Sequence, residues 1–198
     1  MRLPADFYQR TDVVQVAKDL LGKVLITNFD GQLTSGRITE TEAYRAPDDR
    51  ASHAWNNRLT ARTEVMFREG GCAYVYLCYG IHQMFNVVTA PEGMAHAVLV
   101  RAIEPLEGLD TMLKRRQYKT LKPSLTTGPG AVGQALGLHT GWSGQRLYLP
   151  DSPVWIETRG ESQAETDIQC GKRIGIDYAG ACADWPWRFW IGGTTYRK

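Results

Sequence analysis

Val13, Val16, Ala17, Leu20 and Leu21 repeat at helical spacing and predict an amphipathic helix near the start of the chain. Asp12, with Gln15 three residues on, fits a capping box at its beginning, and Gly22 suits its end. The period then changes. Residues 23–27 read as a strand, 28–31 as a turn and 37–44 as a second strand. Side chains of a strand alternate between faces, so Glu40, Glu42 and Tyr44 share one face, and Arg37, Thr39, Thr41 and Ala43 the other. Residues 72–79 form a β-branched and aromatic run bounded by glycines, and 84–89 return as its hairpin partner. Tyr74 and Tyr76 lie on one face of that run. Tyr79 has the opposite parity and abuts Gly80, where the backbone can turn sharply.

Residues 97–103 form a further apolar strand, which Glu104 and Pro105 are expected to end. Leu109, Met112, Leu113 and Arg116 then stand at helical spacing, and Lys114, Arg115 and Arg116 suit the negative end of that helix. A glycine-rich stretch at 126–130 feeds a short helix at 131–136. Short strands are expected at 154–157, 173–176 and 188–191, joined by glycine- and acid-rich turns. Residues 45–50 are a polar loop, and 55–68, which lack clean periodicity, read as loop with short helical turns. A loop of that length in a compact domain is usually functional or disordered. The order of elements shows no regular βαβ alternation. It predicts an α+β fold with a curved, mainly antiparallel sheet flanked by helices and long loops, as a single domain over residues 1–198.

Composition narrows the function classes. A hydrophobic fraction of 43% supports a real core, while 22% charged residues and a net charge of +2 permit nucleic-acid binding without announcing it. The chain has no run of 18 apolar residues and no apolar core near its N-terminus, so neither a membrane span nor a secretory signal is expected, and a cytoplasmic protein is. Cys72, Cys78, Cys170 and Cys182 make no C-x-x-C pair, and the four histidines are scattered, so no metal site is expected on spacing. Reduced cysteines are the default in that compartment.

The candidate chemistry gathers on the 37–44 strand. Two carboxylates on one face repel, which favours a raised pKa for one of them. A tyrosine beside them suits a site that stacks a flat ligand. Arg101 is the one charge inside its apolar strand; it either reaches the surface or is held by a buried acid, for which Glu40, Glu42 and Glu104 are the candidates. The 126–130 loop could present N–H groups to an anion.

The motif 40–44 (Glu-Thr-Glu-Ala-Tyr), followed by His53, the run 74–80, Asn86 and the stretch 99–108, closely resembles the alkyladenine (3-methyladenine) DNA glycosylase family, the small α/β type. The likeness runs from about Leu3 to Gly192. It implies that Glu42 is the general base activating a water for attack on the sugar C1′, with Arg101 positioning carboxylate and water. It implies that Tyr44, His53 and Tyr76 wall the base pocket and that Asn86 on its floor excludes guanine. Tyr79 is then the wedge that enters the duplex where the base has left. His82 stands where some members of that family carry another aromatic, and Thr63 and Glu64 depart from the residues often seen before Met66, which puts the DNA contacts of that loop in question.

Read one at a time, these residues have plainer roles. Tyr74 and Tyr76 would be core aromatics, His53 a surface loop residue, Asn86 a hairpin polar group and Arg101 half of a structural ion pair. Their joint occurrence in family order favours the functional reading. The resemblance implies a monomeric, cofactor-free enzyme acting on double-stranded DNA that contains damaged purines. It would release 3-methyladenine, 7-methylguanine, hypoxanthine or ethenoadenine without strand cleavage, since the motif has no lysine to form a Schiff base. Two other readings compete: a non-catalytic protein that flips and binds lesions, and a hydrolase of small nucleosides. Arg58, Arg62, Lys114, Arg115, Arg116 and the glycine-rich loop argue for a longer, phosphate-bearing substrate.

Overall fold

The computed structural model describes residues 1–160 and 167–197. Much of the first of the expected acid-rich turns, 161–166, lies outside the described residues. Among those described, eight strands form one antiparallel sheet: β1 (Val24–Phe29), β2 (Gln32–Tyr44), β3 (Ala73–Cys78), β4 (His82–Thr89), β5 (His96–Glu107), β6 (Val154–Glu157), β7 (Ile168–Gly171) and β8 (Arg188–Ile191). The spatial order is β3-β4-β5-β2-β1-β6, with β8 paired to β2 and to β7. The α+β expectation holds.

The 13-residue β2 is the centre of the sheet. From Ser35 to Tyr44 it lies against β5, its first half pairs with β1, and residues 40–42 pair with β8 on the same edge. Asp30 and Gly31, with φ of 52° and 76°, form the tight β1–β2 turn. Both residues sit in the left-handed region that a hairpin turn of this twist requires. Register shifts around Glu40 bend β2 where it meets Ala102 of β5.

Helices cover one face. A short helix, α1 (Ala5–Tyr8), was not legible in the pattern; Tyr8 anchors it in the core. In α2 (Val13–Asp19), the Asp12 carboxylate accepts from the Gln15 N–H at 3.0 Å, so the predicted cap is made. The reciprocal half is not, because the Gln15 amide donates to Asp19 instead. Helices α3 (Leu109–Arg116) and α4 (Pro129–Leu136) pack on each other, and α4 also lies on β4 and β5. Gly133 allows that approach: a Cβ there would lie 2.1 Å from the Gln83 carbonyl oxygen. Val16, Leu20, Leu25, Ile38, Phe85, Val100, Met112 and Leu136 fill the core on this side.

Two expected boundaries are corrected. Pro105 does not end its strand; β5 continues to Glu107. Proline removes a ladder donor, yet β4 pairs with β5 only along 96–99, so Pro105 lies where one side of the strand has no β4 neighbour. Residues 173–176 are not a strand either. The strand is β7, five residues earlier, and 173–176 form a loop broken by Gly175 at φ 76°. That loop and the loops following β2 cover the other face of the sheet, around Ala51, Ile176, Ala179 and Cys182.

Candidate active site

Register lines the site up before any loop is considered. Tyr74 of β3 pairs with Asn86 of β4, Asn86 with Leu99 of β5, and Leu99 with Glu42 of β2. Four residues distant in sequence thus form one row across the sheet, on the face away from the helices. At about 4.8 Å per strand the row spans about 14 Å. A cavity of about 660 Å³ opens over it, lined in part by Tyr44, His53, Tyr76, Tyr79, Asn86 and Arg101.

Glu42 itself is fully buried just behind that wall. Its Oε2 accepts from the Tyr44 hydroxyl at 2.7 Å and from Arg101 at 3.2 Å, and its Oε1 accepts from the Ile174 N–H at 2.8 Å. The expected acid partners of Arg101 are therefore Glu42 and Glu40, the latter at 3.3 Å. Glu104 is excluded because it is paired with Arg37. Glu40 is held from its other side by Arg188 at 3.0 Å. Burial works against the Arg101 charge, but Glu42 and Glu40 outweigh it and raise its pKa. Burial first, and then Glu42, push the Tyr44 hydroxyl well above its ordinary value, so it stays protonated and donates.

His53 and the tyrosines form an aromatic wall. The His53 ring meets Tyr76 edge to face at 4.6 Å, and the Arg62 guanidinium lies 4.8 Å from the Tyr76 ring centroid. Arg62 also donates to His53 Nε2 at 3.1 Å, which makes Nε2 an acceptor. The proton of the neutral ring is then on Nδ1, 2.8 Å from the Tyr74 oxygen. Burial, with Arg62 beside it, lowers the His53 pKa to about 4. His53 is a neutral ring at physiological pH, with its one N–H already engaged.

Asn86 is buried on the cavity floor, and its amide nitrogen donates to the Tyr74 and Met84 carbonyls at 3.1 and 3.2 Å. Its side chain lines the cavity. Tyr79 is 90% exposed at the tip of the β3–β4 hairpin. Tyr79 and Gly80 have φ of 51° and 72°, and the Ile81 N–H closes the turn on the Cys78 carbonyl at 3.1 Å. Leu77 and Ile81 are exposed beside it, so the tip is an apolar blade standing away from the body. His82, at the base of this hairpin, packs its ring against Gly130, where a Cβ would come within 2.8 Å of Nδ1. Thr63 is buried and ties its own turn, its hydroxyl donating to the Arg58 carbonyl at 2.8 Å, and Glu64 pairs with Arg68.

A second hollow of about 420 Å³ adjoins the first through His53, Arg62 and Tyr178, and carries Arg50, Arg58 and Trp55. This is the cationic surface beside the site. At the basic end of α3, Arg116 also lines the first cavity. Arg115 donates to the Ala135 carbonyl, and Arg116 to Gln134 and the Leu125 carbonyl, so these two side chains tie α3 to α4 and to the turn before it. Two contributors were missed in the sequence: the Ile174 amide, and the buried Arg173 that precedes it. A backbone donor carries no residue-type signal. Arg173 had been assigned to a strand.

Comparisons with known proteins give the family. The sequence model of the methylpurine-DNA glycosylase family matches residues 6–195. A protein of Chlamydia abortus is 48% identical over 189 residues, covering 94% of this chain and 96% of its own. Relatives from Natranaerobius thermophilus (44% over 192 residues; 96% of each chain) and Bacillus subtilis (43% over 194 residues; 98% of this chain and 95% of the relative) match as fully. All three are provisionally named 3-methyladenine DNA glycosylases. A match spanning nearly every residue, with the row of site residues inside it, means that the chain belongs to the methylpurine-DNA glycosylase family.

Proposed function

We propose that this protein is a monofunctional DNA glycosylase that flips alkylated or deaminated purines out of duplex DNA and hydrolyses their N-glycosylic bonds. The observation that carries the reading is the Glu42 carboxylate, buried with three donors directly behind an aromatic cavity. A carboxylate has about four acceptor positions, and three are filled. The fourth, on Oε1, suits the attacking water. That water adds to C1′ as the bond from C1′ to the purine nitrogen breaks. Glu42 takes its proton, and the electron pair leaves with the base. Arg101 and Tyr44 hold the carboxylate in place while charge develops on the sugar.

A cationic alkylpurine departs as a neutral molecule and needs no acid. Neutral hypoxanthine or ethenoadenine must gain a proton. His53 does not supply it, since its ring is neutral and its N–H is bound to Tyr74. A water or another group of the pocket must therefore supply the proton for neutral bases. Among the described residues no lysine lines the cavity, which supports hydrolysis over Schiff-base lyase chemistry. Asn86, its amide nitrogen tied to the Tyr74 and Met84 carbonyls, is the floor group whose bulk would clash with the exocyclic amine of guanine. The test is a base-release assay on methylated duplex DNA in EDTA. Free methylpurine should appear, and strands should break only after alkali; intact bases throughout would sink the reading.

The Tyr79 blade supports flipping. Extrusion of a base costs a few kcal/mol, least for a damaged or mispaired base, and an inserted side chain can fill the gap. Tyr79→Ala is expected to weaken binding to lesion duplex by about 1–3 kcal/mol, the range for loss of one base–aromatic stack. Single-stranded lesion DNA should bind almost as before. Equal losses on both, measured by fluorescence anisotropy, would remove the wedge.

A further inference from the structure

Arg173 is fully buried, as is its partner Asp49 in the loop after β2, 124 residues earlier. The guanidinium donates to both Asp49 oxygens, at 2.5 and 2.8 Å. It also donates to the carbonyls of Ala43, at 2.8 Å, and Cys182, at 3.0 Å. Asp49 in turn accepts from the Ala51 N–H at 3.0 Å. Above this clamp the guanidinium carbon lies 4.7 Å from the Tyr44 ring centroid and 5.4 Å from that of Trp187. The next residue, Ile174, gives its N–H to Glu42 Oε1.

Buried ion pairs of this kind are often replaceable by apolar groups without loss of stability, so stability alone explains this one poorly. Its geometry is specific. One planar cation backs the pocket tyrosine, grips the backbone next to it at Ala43, and anchors the loop that reaches Glu42. Oε2 of Glu42 has two donors and Oε1 one. The open acceptor position is thus on the oxygen that the Ile174 amide orients.

We propose that Arg173, clamped by Asp49, is a positioning residue for base release: it holds the Ile174 amide on Glu42 Oε1 and the Tyr44 ring behind the base, and so sets where the attacking water meets the carboxylate. The inference rests on the hydrolytic glycosylase reading. Arg173 touches neither Glu42 nor the cavity directly, so its effect passes through its neighbours.

The test is single-turnover kinetics with excess enzyme on methylated duplex and on duplex carrying one hypoxanthine, for wild type, Arg173→Met and Arg173→Lys. Displacement of a catalytic group by about 1 Å can cost about 100-fold in rate, and a loss of that order is expected for Arg173→Met. Arg173→Lys keeps the charge beside Asp49 and should recover part of the rate. The duplex Kd should stay close to that of wild type in both. A pair that only stabilised the fold would behave differently: the active fraction, read as amplitude, would fall, while the molecules still folded reacted at the wild-type rate constant. That pattern would overturn the proposal. Should Arg173→Met not fold, Arg173→Lys decides, and a wild-type rate constant in it overturns the proposal. If wild type releases no base from either duplex, the glycosylase reading falls and takes this inference with it. If wild type turns over and the variants match it, this inference alone falls.

Discussion

Arg101→Met is expected to lower the free energy of unfolding by about 3–5 kcal/mol, the usual cost of removing one partner from a buried charge pair. Arg101 is buried between Glu42 and Glu40. Without it Glu40 still has Arg188, but Glu42 keeps only the Tyr44 hydroxyl and the Ile174 amide. An ionised carboxylate left in that position has no nearby cation bonded to it. The prediction can be separated from a general packing loss. In a Glu42→Gln background the stranded charge is absent, so the same Arg101 substitution should cost clearly less. Urea denaturation at pH 7 of the two single variants and the double variant gives the coupling directly. Equal costs in both backgrounds would mean that Arg101 acts on stability by packing and not by holding Glu42.

Much of this site was legible because it depends on two local rules. Strand alternation placed Glu40, Glu42 and Tyr44 on one face, and the structure brings both acids to Arg101. A lone arginine in an apolar strand either reaches the surface or is held by a buried acid, and the structure shows the second. Tyr79 beside Gly80 read as a turn, and both residues adopt the left-handed conformation such a turn needs. The resemblance to glycosylases carried the roles proposed for His53, Tyr76 and Asn86, which composition and period alone would have left as ordinary core or loop residues.

What stayed hidden depends on long-range contacts. Residues 173–176, with two β-branched side chains, fit a strand locally. The fold overrides that preference because Arg173 must reach Asp49, and Gly175 breaks the backbone beside it. Pro105 looked like a strand end, since nothing local reveals that β4 stops pairing before it. Nor does the basic end of α3 reveal locally that Arg115 and Arg116 bond to carbonyls and a glutamine of elements that follow it in the chain, with Arg116 also lining the cavity. In each case the local pattern was sound and a partner distant in sequence decided the outcome.

The central claim concerns one carboxylate. Glu42→Gln conserves volume and keeps one oxygen to accept either from Tyr44 and Arg101 or from the Ile174 amide, so the pocket and the flipped-base complex should survive. It removes the charge that accepts the water proton. A positioned general base contributes about 10²–10⁴-fold to a rate, and a loss in that range is expected here. It corresponds to about 3–5 kcal/mol of barrier at about 1.36 kcal/mol per tenfold change. The most direct measurement is therefore single-turnover base release in EDTA by wild type and Glu42→Gln, on a methylated duplex and on one carrying a single hypoxanthine, with Kd measured for each. Matched affinities with release by wild type far faster than by the variant would establish Glu42 as the base of a hydrolytic glycosylase. Wild-type rates in Glu42→Gln would contradict that role, and tight binding without release by either protein would identify a lesion-binding protein instead.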